Sequence, residues 1–265
     1  MIAFFTFNRM DLAIESLRTL QRQWTYDPMP ERIVIWDDGS AGSELERMKS
    51  HIDGDTRIEL KEKSETRVNP TSIQEGASRI AEQRRRAVEY FMNDDEKEEF
   101  LLFSDSDVFY GSNVLAEMTR DYAMLKNRKW SRICGLSAHA LAGCEGHLQI
   151  VEQLFAQMRL TGDAHFLFHR EIFERVGNPF SGEKLGGFMD TFYEATLKLG
   201  LRVYTRVSPP YEVHHAVGTS VIHTETNPKK PGDANVPELP AWVREPYKGN
   251  HTVSRRPLWL RGVHF

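Results

Sequence analysis

The chain has 265 residues, 40% of them hydrophobic and 11% aromatic, enough for one large domain or two small ones with a sizeable core. Its 34 basic and 38 acidic residues leave a net charge of −4, which excludes a generic polyanion binder. No apolar run approaches the roughly 18 residues of a membrane span, and Cys134 and Cys144 make no disulfide framework. With no basic leader at the N-terminus, the expectation is a soluble, cytoplasmic protein.

Residues 2–7 form a near-continuous apolar run and read as a first buried strand. Asn8-Arg9-Met10-Asp11 leads into a helical pattern with Leu12, Leu17, Leu20 and Trp24 on one face. Asn8 suits the cap and Asp11 the first turn. Residues 32–36 are a second strand, ending in Asp37-Asp38-Gly39-Ser40. A helix is expected over 44–51, and over 57–61 a third, less apolar strand nearer an edge. Thr71 or Ser72 can cap a long helix running to about residue 92, which carries Arg79, Arg84, Arg85 and Arg86. Most of these belong on a solvated face, but one turned toward the strand ends could meet a phosphate.

The central stretch is Phe100-Leu-Leu-Phe-Ser-Asp-Ser-Asp-Val-Phe-Tyr110. Its apolar start predicts a buried parallel strand, with Asp105 and Asp107 at the carboxyl end. Ligands of open α/β sheets bind beyond such ends. A carboxylate taken out of water there needs a cation or donors. Mg²⁺ is commonly held by one or two carboxylates together with substrate phosphates.

Ser112 is placed to cap a helix through about residue 126, and a strand is expected over 130–136. A short apolar stretch over 164–168 precedes a short helix over 169–176, ended by Gly177. The connection 178–187 leads to a helix over 188–199 with Asp190 in its first turn, and a strand follows over 202–207. Beyond Thr224 lie six of the twelve prolines, seven Lys/Arg and four Asp/Glu, which reads as an irregular basic arm. The expected organisation is a domain over 1–223, with halves 1–110 and 111–223, and an arm over 224–265. Strands alternating with helices predict an α/β protein with a mixed, mostly parallel sheet flanked by helices.

The ordered motifs resemble those of GT-A-fold glycosyltransferases, a Rossmann-like fold, and within them the inverting family 2 type. Thr6-Phe7-Asn8-Arg9 resembles that family's first-strand signature, and residues 33–40 its Asp-Asp-Gly-Ser motif. Ser104-Asp105-Ser106-Asp107 resembles its Asp-x-Asp motif, and residues 166–177 the segment before its acceptor loop. Gly187-Phe-Met-Asp190 resembles its Glu-Asp helix, and His215-Ala-Val-Gly-Thr-Ser220 its late His segment.

The resemblance implies a nucleotide-diphospho-sugar donor, UDP-sugar before others, and Mn²⁺ or Mg²⁺. Thr6, Asn8 and Arg9 would line the donor site. Asp37 or Asp38 would contact the base or ribose. Asp105 would meet ribose, sugar or metal, and Asp107 the metal, joined by His215 or His214. Arg84, with Arg79 second, would face a phosphate. Asp190 would be the general base, with Glu194 one turn on as a substitute, because Met189 replaces the first acid of the family pair. The acceptor could be a saccharide, a lipid-linked sugar, a protein or a nucleic-acid base. A non-catalytic nucleotide- or sugar-binding relative is an alternative. A nucleotidyltransferase ranks lower, because residues 6–11 lack the Gly-rich loop that holds a triphosphate.

Overall fold

The computed structural model describes residues 1–25, 32–94, 98–111, 113–127, 133–137, 148–151, 155–158, 166–180, 198–200, 202–206 and 211–215. The chain opens as a run of βα units: β1 (Ile2–Thr6), α1 (Met10–Gln21), β2 (Ile33–Asp37), α2 (Gly42–Ile52), β3 (Ile58–Lys61) and α3 (Ile73–Asn93). Then come β4 (Phe100–Asp105), β5 (Val108–Tyr110), α4 (Val114–Asn127), β6 (Ile133–Ser137), β7 (Leu148–Val151) and β8 (Phe155–Met158). The described elements end with β9 (Phe166–His169), α5 (Arg170–Val176), β10 (Arg202–Arg206) and β11 (Val213–His215).

Nine strands form one sheet in the order β3-β2-β1-β4-β9-β6-β10-β8-β7, and β11 pairs with β5 in a separate ribbon. The first four strands are parallel. Beyond β4 the sheet turns mixed: β9 runs antiparallel to both β4 and β6, and β10 is parallel to β6 but antiparallel to β8. The mixed α/β sheet expected from the sequence is therefore present. Its central strand β4, expected to lie in a parallel setting, has a parallel neighbour on one side only.

Every residue of β1 and β2 is buried, as strands covered on both faces require. Alternate side chains feed two cores. Ile2, Phe4, Ile33, Ile35 and Leu102 pack with Met10, Leu17 and Leu20 of α1 and with Val114 and Met118 of α4. Ala3, Phe5, Val34, Trp36, Leu101 and Phe103 pack with Val88 and Phe91 of α3 and with Ile172 and Phe173 of α5. Each Leu, Ile, Val, Phe or Met side chain among them contributes about 1.5–3 kcal/mol on burial. β3 is only half-buried and pairs with β2 alone among the described strands, the edge position its composition implied.

Helix ends follow local chemistry. Ser72 caps α3, its Oγ accepting from Glu75 N at 3.1 Å, while the Glu75 carboxylate accepts from Thr71 N at 2.8 Å. At the other end of α3 the Arg170 guanidinium donates to the Phe91 carbonyl at 2.8 Å. Asn8 does not cap α1. It and Arg9 both take left-handed φ values of 52°, and the Met10 amide donates to Glu44 Oε2 at 2.8 Å instead. Asn8 serves the start of α2: its Oδ1 accepts from Ala41 N at 2.9 Å, and its amide donates to Ser40 Oγ at 2.7 Å.

Ser112, residues 130–132, most of the helix expected over 188–199, and the arm over 224–265 lie outside the described residues. Among the described residues, no helix is long and apolar enough to cross a membrane.

Candidate active site

Register brings the acidic motifs together. Thr6 stands opposite Asp37 in the β1–β2 pair, and Phe5 opposite Asp105 in the β1–β4 pair. The carboxyl ends of β2 and β4 therefore flank the end of β1, where the connections diverge to either side. An open cleft of about 160 Å³ lies there. Its walls come from the end of β1 through Arg9, from Asp38, from Pro70, from Gly76 and Arg79 of α3, and from the 105–107 turn.

The two neighbouring aspartates at the end of β2 do different work. Asp37 is buried, and its Oδ2 accepts from the Gly39 and Ser40 amides, each at 2.9 Å, while its Oδ1 accepts from Ser40 Oγ. It builds the turn and does not line the cleft. The turn needs glycine at position 39, where φ is +87° and an added Cβ would stand 2.4 Å from the Glu65 carbonyl oxygen. Arg67 N donates to the Gly39 carbonyl at 2.7 Å, pinning the turn to the loop before α3.

Asp38 faces the cleft and is ringed by cations. Its Oδ1 lies 3.0 Å from both Lys63 Nζ and Arg67 Nη1, and its Oδ2 lies 2.5 Å from Arg79 Nε. Glu82 answers the excess positive charge, 2.8 Å from Lys63 Nζ. Burial raises the Glu82 pKa, but the Lys63 hydrogen bond and the charges of Lys63 and Arg67 outweigh it and hold the carboxyl below its usual range. Arg79 lies over the Phe7 ring at 4.4 Å, and its Nη1 donates to the Val68 carbonyl at 2.7 Å. Its Nη2, buried at the cleft wall, has no partner among the described residues. An unmet buried donor is costly in a native protein unless a ligand meets it.

At the end of β4, Asp105 and Asp107 line the cleft floor. Arg84, expected to face a phosphate, does not line the cleft: its side chain is 2% exposed, and its Nη2 contacts both oxygens of Asp105, at 3.0 and 3.3 Å. Just beyond the turn, burial pushes the Tyr110 hydroxyl far above its ordinary range. The Asp105 and Asp107 charges add to the shift.

The β5–β11 ribbon pairs His215 with Val108 and His214 with Phe109, so the late histidines return beside the residue that follows Asp107. Tyr211 anchors the approach to this ribbon, its hydroxyl donating to Asp121 Oδ2 at 2.8 Å. Among the described residues, no three His, Cys, Asp or Glu side chains converge as a preformed metal cage. Two carboxylates at an open cleft fit an ion whose remaining ligands are phosphate oxygens and water.

Of the residues singled out in the sequence, Thr6, Arg9, Asp38, Arg79, Asp105 and Asp107 line one cleft. Asn8 braces the neighbouring turn, and Asp37 builds it. Asp190 and Glu194 lie outside the described residues, as does Cys144. Sequence reasoning missed Lys63 and Arg67. The one signal for them is the basic residues Lys61, Lys63 and Arg67 in and after the edge strand, which carry no periodicity.

Neither a family model nor a curated protein matches this sequence. Solved structures do match. One is a mannosyltransferase from Pyrobaculum calidifontis in complex with GDP-Man and Mn²⁺, at 16% identity and a TM-score of 0.50, covering 76% of this chain and 52% of that one. Another is GalNAc-T7 with UDP, GalNAc and Mn²⁺, at 12% identity and a TM-score of 0.54, covering 77% of this chain and 41% of that one. The chain thus spans about half the length of these neighbours, or less. Its fold is the GT-A, Rossmann-like fold that the motifs implied.

Proposed function

We propose that the chain is a glycosyltransferase that moves a sugar from a nucleoside-diphosphate sugar to an acceptor hydroxyl, with a divalent ion and inversion at the anomeric carbon. The observation that carries this reading is the convergence of Asp38, Asp105 and Asp107 on one cleft at the β1 end of a GT-A sheet.

Each end of the cleft suits part of a donor. A carboxylate has about four acceptor positions, so Asp38 keeps room for one more N–H beside its three cations. Next to it, Arg79 Nη2 offers a donor. An acceptor beside a donor complements the N–H and carbonyl of a keto-imide base, of which uracil is the smallest. Arg9, on its left-handed turn at the cleft, makes no ion pair among the described residues and suits a diphosphate oxygen.

Asp107, Asp105 and one of His215 and His214 would hold Mn²⁺ or Mg²⁺. When bound, the ion supplies a Lewis acid that takes up negative charge on the leaving diphosphate. Asp190, or Glu194 one turn later, would accept the proton of the attacking hydroxyl. A single in-line displacement then inverts the centre. Residues 1–223 would form the catalytic unit and 224–265 an arm outside it. We place the protein in the cytoplasm, with a saccharide, lipid-linked sugar, protein or nucleic-acid base as acceptor.

The test is transfer or slow hydrolysis of UDP-sugars with and without Mn²⁺. Metal-dependent release of UDP is expected. Tight binding of UDP with no release from any donor would instead favour a non-catalytic sugar-binding protein.

A further inference from the structure

Three fully buried polar side chains, Ser16, Thr19 and Gln23, lie along α1 and the 3₁₀ turn that continues it (Arg22–Thr25). Their i, i+3, i+7 spacing sets them on one face. Together they serve the edge of β5 that β11 leaves open. Ser16 Oγ donates to the Val108 carbonyl at 2.5 Å, and Gln23 Nε2 donates to the Gly111 carbonyl at 2.6 Å. Thr19 Oγ1 donates to the Ser16 carbonyl at 2.7 Å, which leaves its lone pairs to accept from the Tyr110 amide at 3.0 Å. On its other edge β5 pairs with β11, and it belongs to that ribbon and not to the nine-stranded sheet. No ladder of the main sheet therefore fixes where β5 begins, immediately after Asp107.

The same helix starts at the cleft, where Arg9 and Leu12 form part of the wall. About two helical turns separate Leu12 from Thr19, so α1 runs as one rigid piece from the Arg9 side of the cleft to the strand that follows Asp107. We infer that Ser16, Thr19 and Gln23 are positioning residues: their grip on β5 sets Asp107 at the spacing from Arg9 that a metal-bound diphosphate requires. This rests on the metal-dependent reading above. Groups that orient a metal ligand from behind it change affinity or activity by about 10–100-fold when removed. Thr19→Val keeps the volume but removes the acceptor, leaving the buried Tyr110 amide unmet. The strand can satisfy that amide only by shifting toward another acceptor, and Asp107 moves with it.

The measurement is a Mn²⁺ titration read from the free-ion EPR signal, well below each variant's Tm, with UDP at fixed concentration and the UDP–Mn²⁺ blank subtracted. Thr19→Val is expected to bind Mn²⁺ about tenfold more weakly, with UDP affinity in the absence of metal unchanged. Thr19→Ser keeps the acceptor and should stay within about threefold of the unsubstituted protein, short of that loss. Ser16→Ala, which gives up the bond to the Val108 carbonyl, should weaken Mn²⁺ binding in the same direction and decides the matter if Thr19→Val does not fold. Ser72→Ala, a loss of stability away from β5, should leave Mn²⁺ affinity unchanged. Unchanged Mn²⁺ affinity in a folded Thr19→Val or Ser16→Ala, or an equal loss in Thr19→Ser or Ser72→Ala, would overturn this inference alone. No Mn²⁺ binding to the unsubstituted protein in the presence of UDP would overturn the metal reading and this inference with it.

Discussion

The turns that close β2 and β4 look alike in sequence, each an apolar strand ending in two carboxylates, yet the fold gives them opposite electrostatic characters. At the end of β2, Asp37 is consumed by its own turn, and Asp38 is surrounded by Lys63, Arg67 and Arg79. Recognition there has to work through leftover donors and acceptors. At the end of β4, two carboxylates line the cleft, and the buried Arg84 guanidinium contacts Asp105. In the proposed function, that end takes the cation. A ligand with a neutral, hydrogen-bonding head and a polyanionic tail needing a counter-ion matches the pair, and a nucleoside diphosphate has that form.

Substitutions can break this contrast. The largest effect is expected at the cation-seeking end: Asp107→Ala should lower metal-dependent transfer by about 10² or more, a scale fitting the loss of a Lewis acid, read as kcat/KM at saturating Mn²⁺. At the cation-saturated end, Asp38→Leu leaves three cations around an apolar side chain. Breaking a buried pair costs about 3–5 kcal/mol, so the urea midpoint should fall steeply, independently of any metal. Gly39→Ala attacks the turn that separates Asp37 from Asp38, combining a positive φ with a contact to Glu65 O. Its expected cost is about 1–3 kcal/mol, seen as a lower Tm with weaker UDP binding.

Acid should act on the same cluster. The Glu82 carboxyl is held below its ordinary 4.5 in the folded protein, so the stability it contributes is full above that value. It is lost as pH falls through the depressed folded value. Glu82→Gln should flatten that acid limb in denaturation measured from pH 6 to pH 3, on the order of one titrating group. The smallest effect lies away from both turns: Ser72→Ala should cost about 1 kcal/mol through the lost cap of α3 and leave donor KM unchanged.

The sheet's first half was legible because β1, β2 and β4 are apolar runs long enough to stand out, with amphipathic helices between them. The strands β5, β7, β8 and β11 were not, since each has three or four residues and exists through pairing with a distant partner. The same limit governed the site. Sequence located both acidic turns but could not divide Asp37 from Asp38, because the division depends on Gly39 and on a loop some 25 residues later. Arg84 was expected at a phosphate because it is basic and near a strand end. Two rings from β1 and β4, alternating toward the α3 face, put it beneath the site instead. Asn8 looked like the cap of the helix that follows it, and only its left-handed φ turns it toward α2.

The most direct test is the thermal stability of the purified protein with UDP alone, Mn²⁺ alone, and both. Ligands that bind only the folded form raise its apparent stability. The account predicts a clear upward shift with the pair, a far smaller one with either component, and loss of the difference in Asp107→Asn. Indifference to every nucleoside diphosphate and divalent ion tried, or a full paired shift in the Asp107 variant, would contradict it.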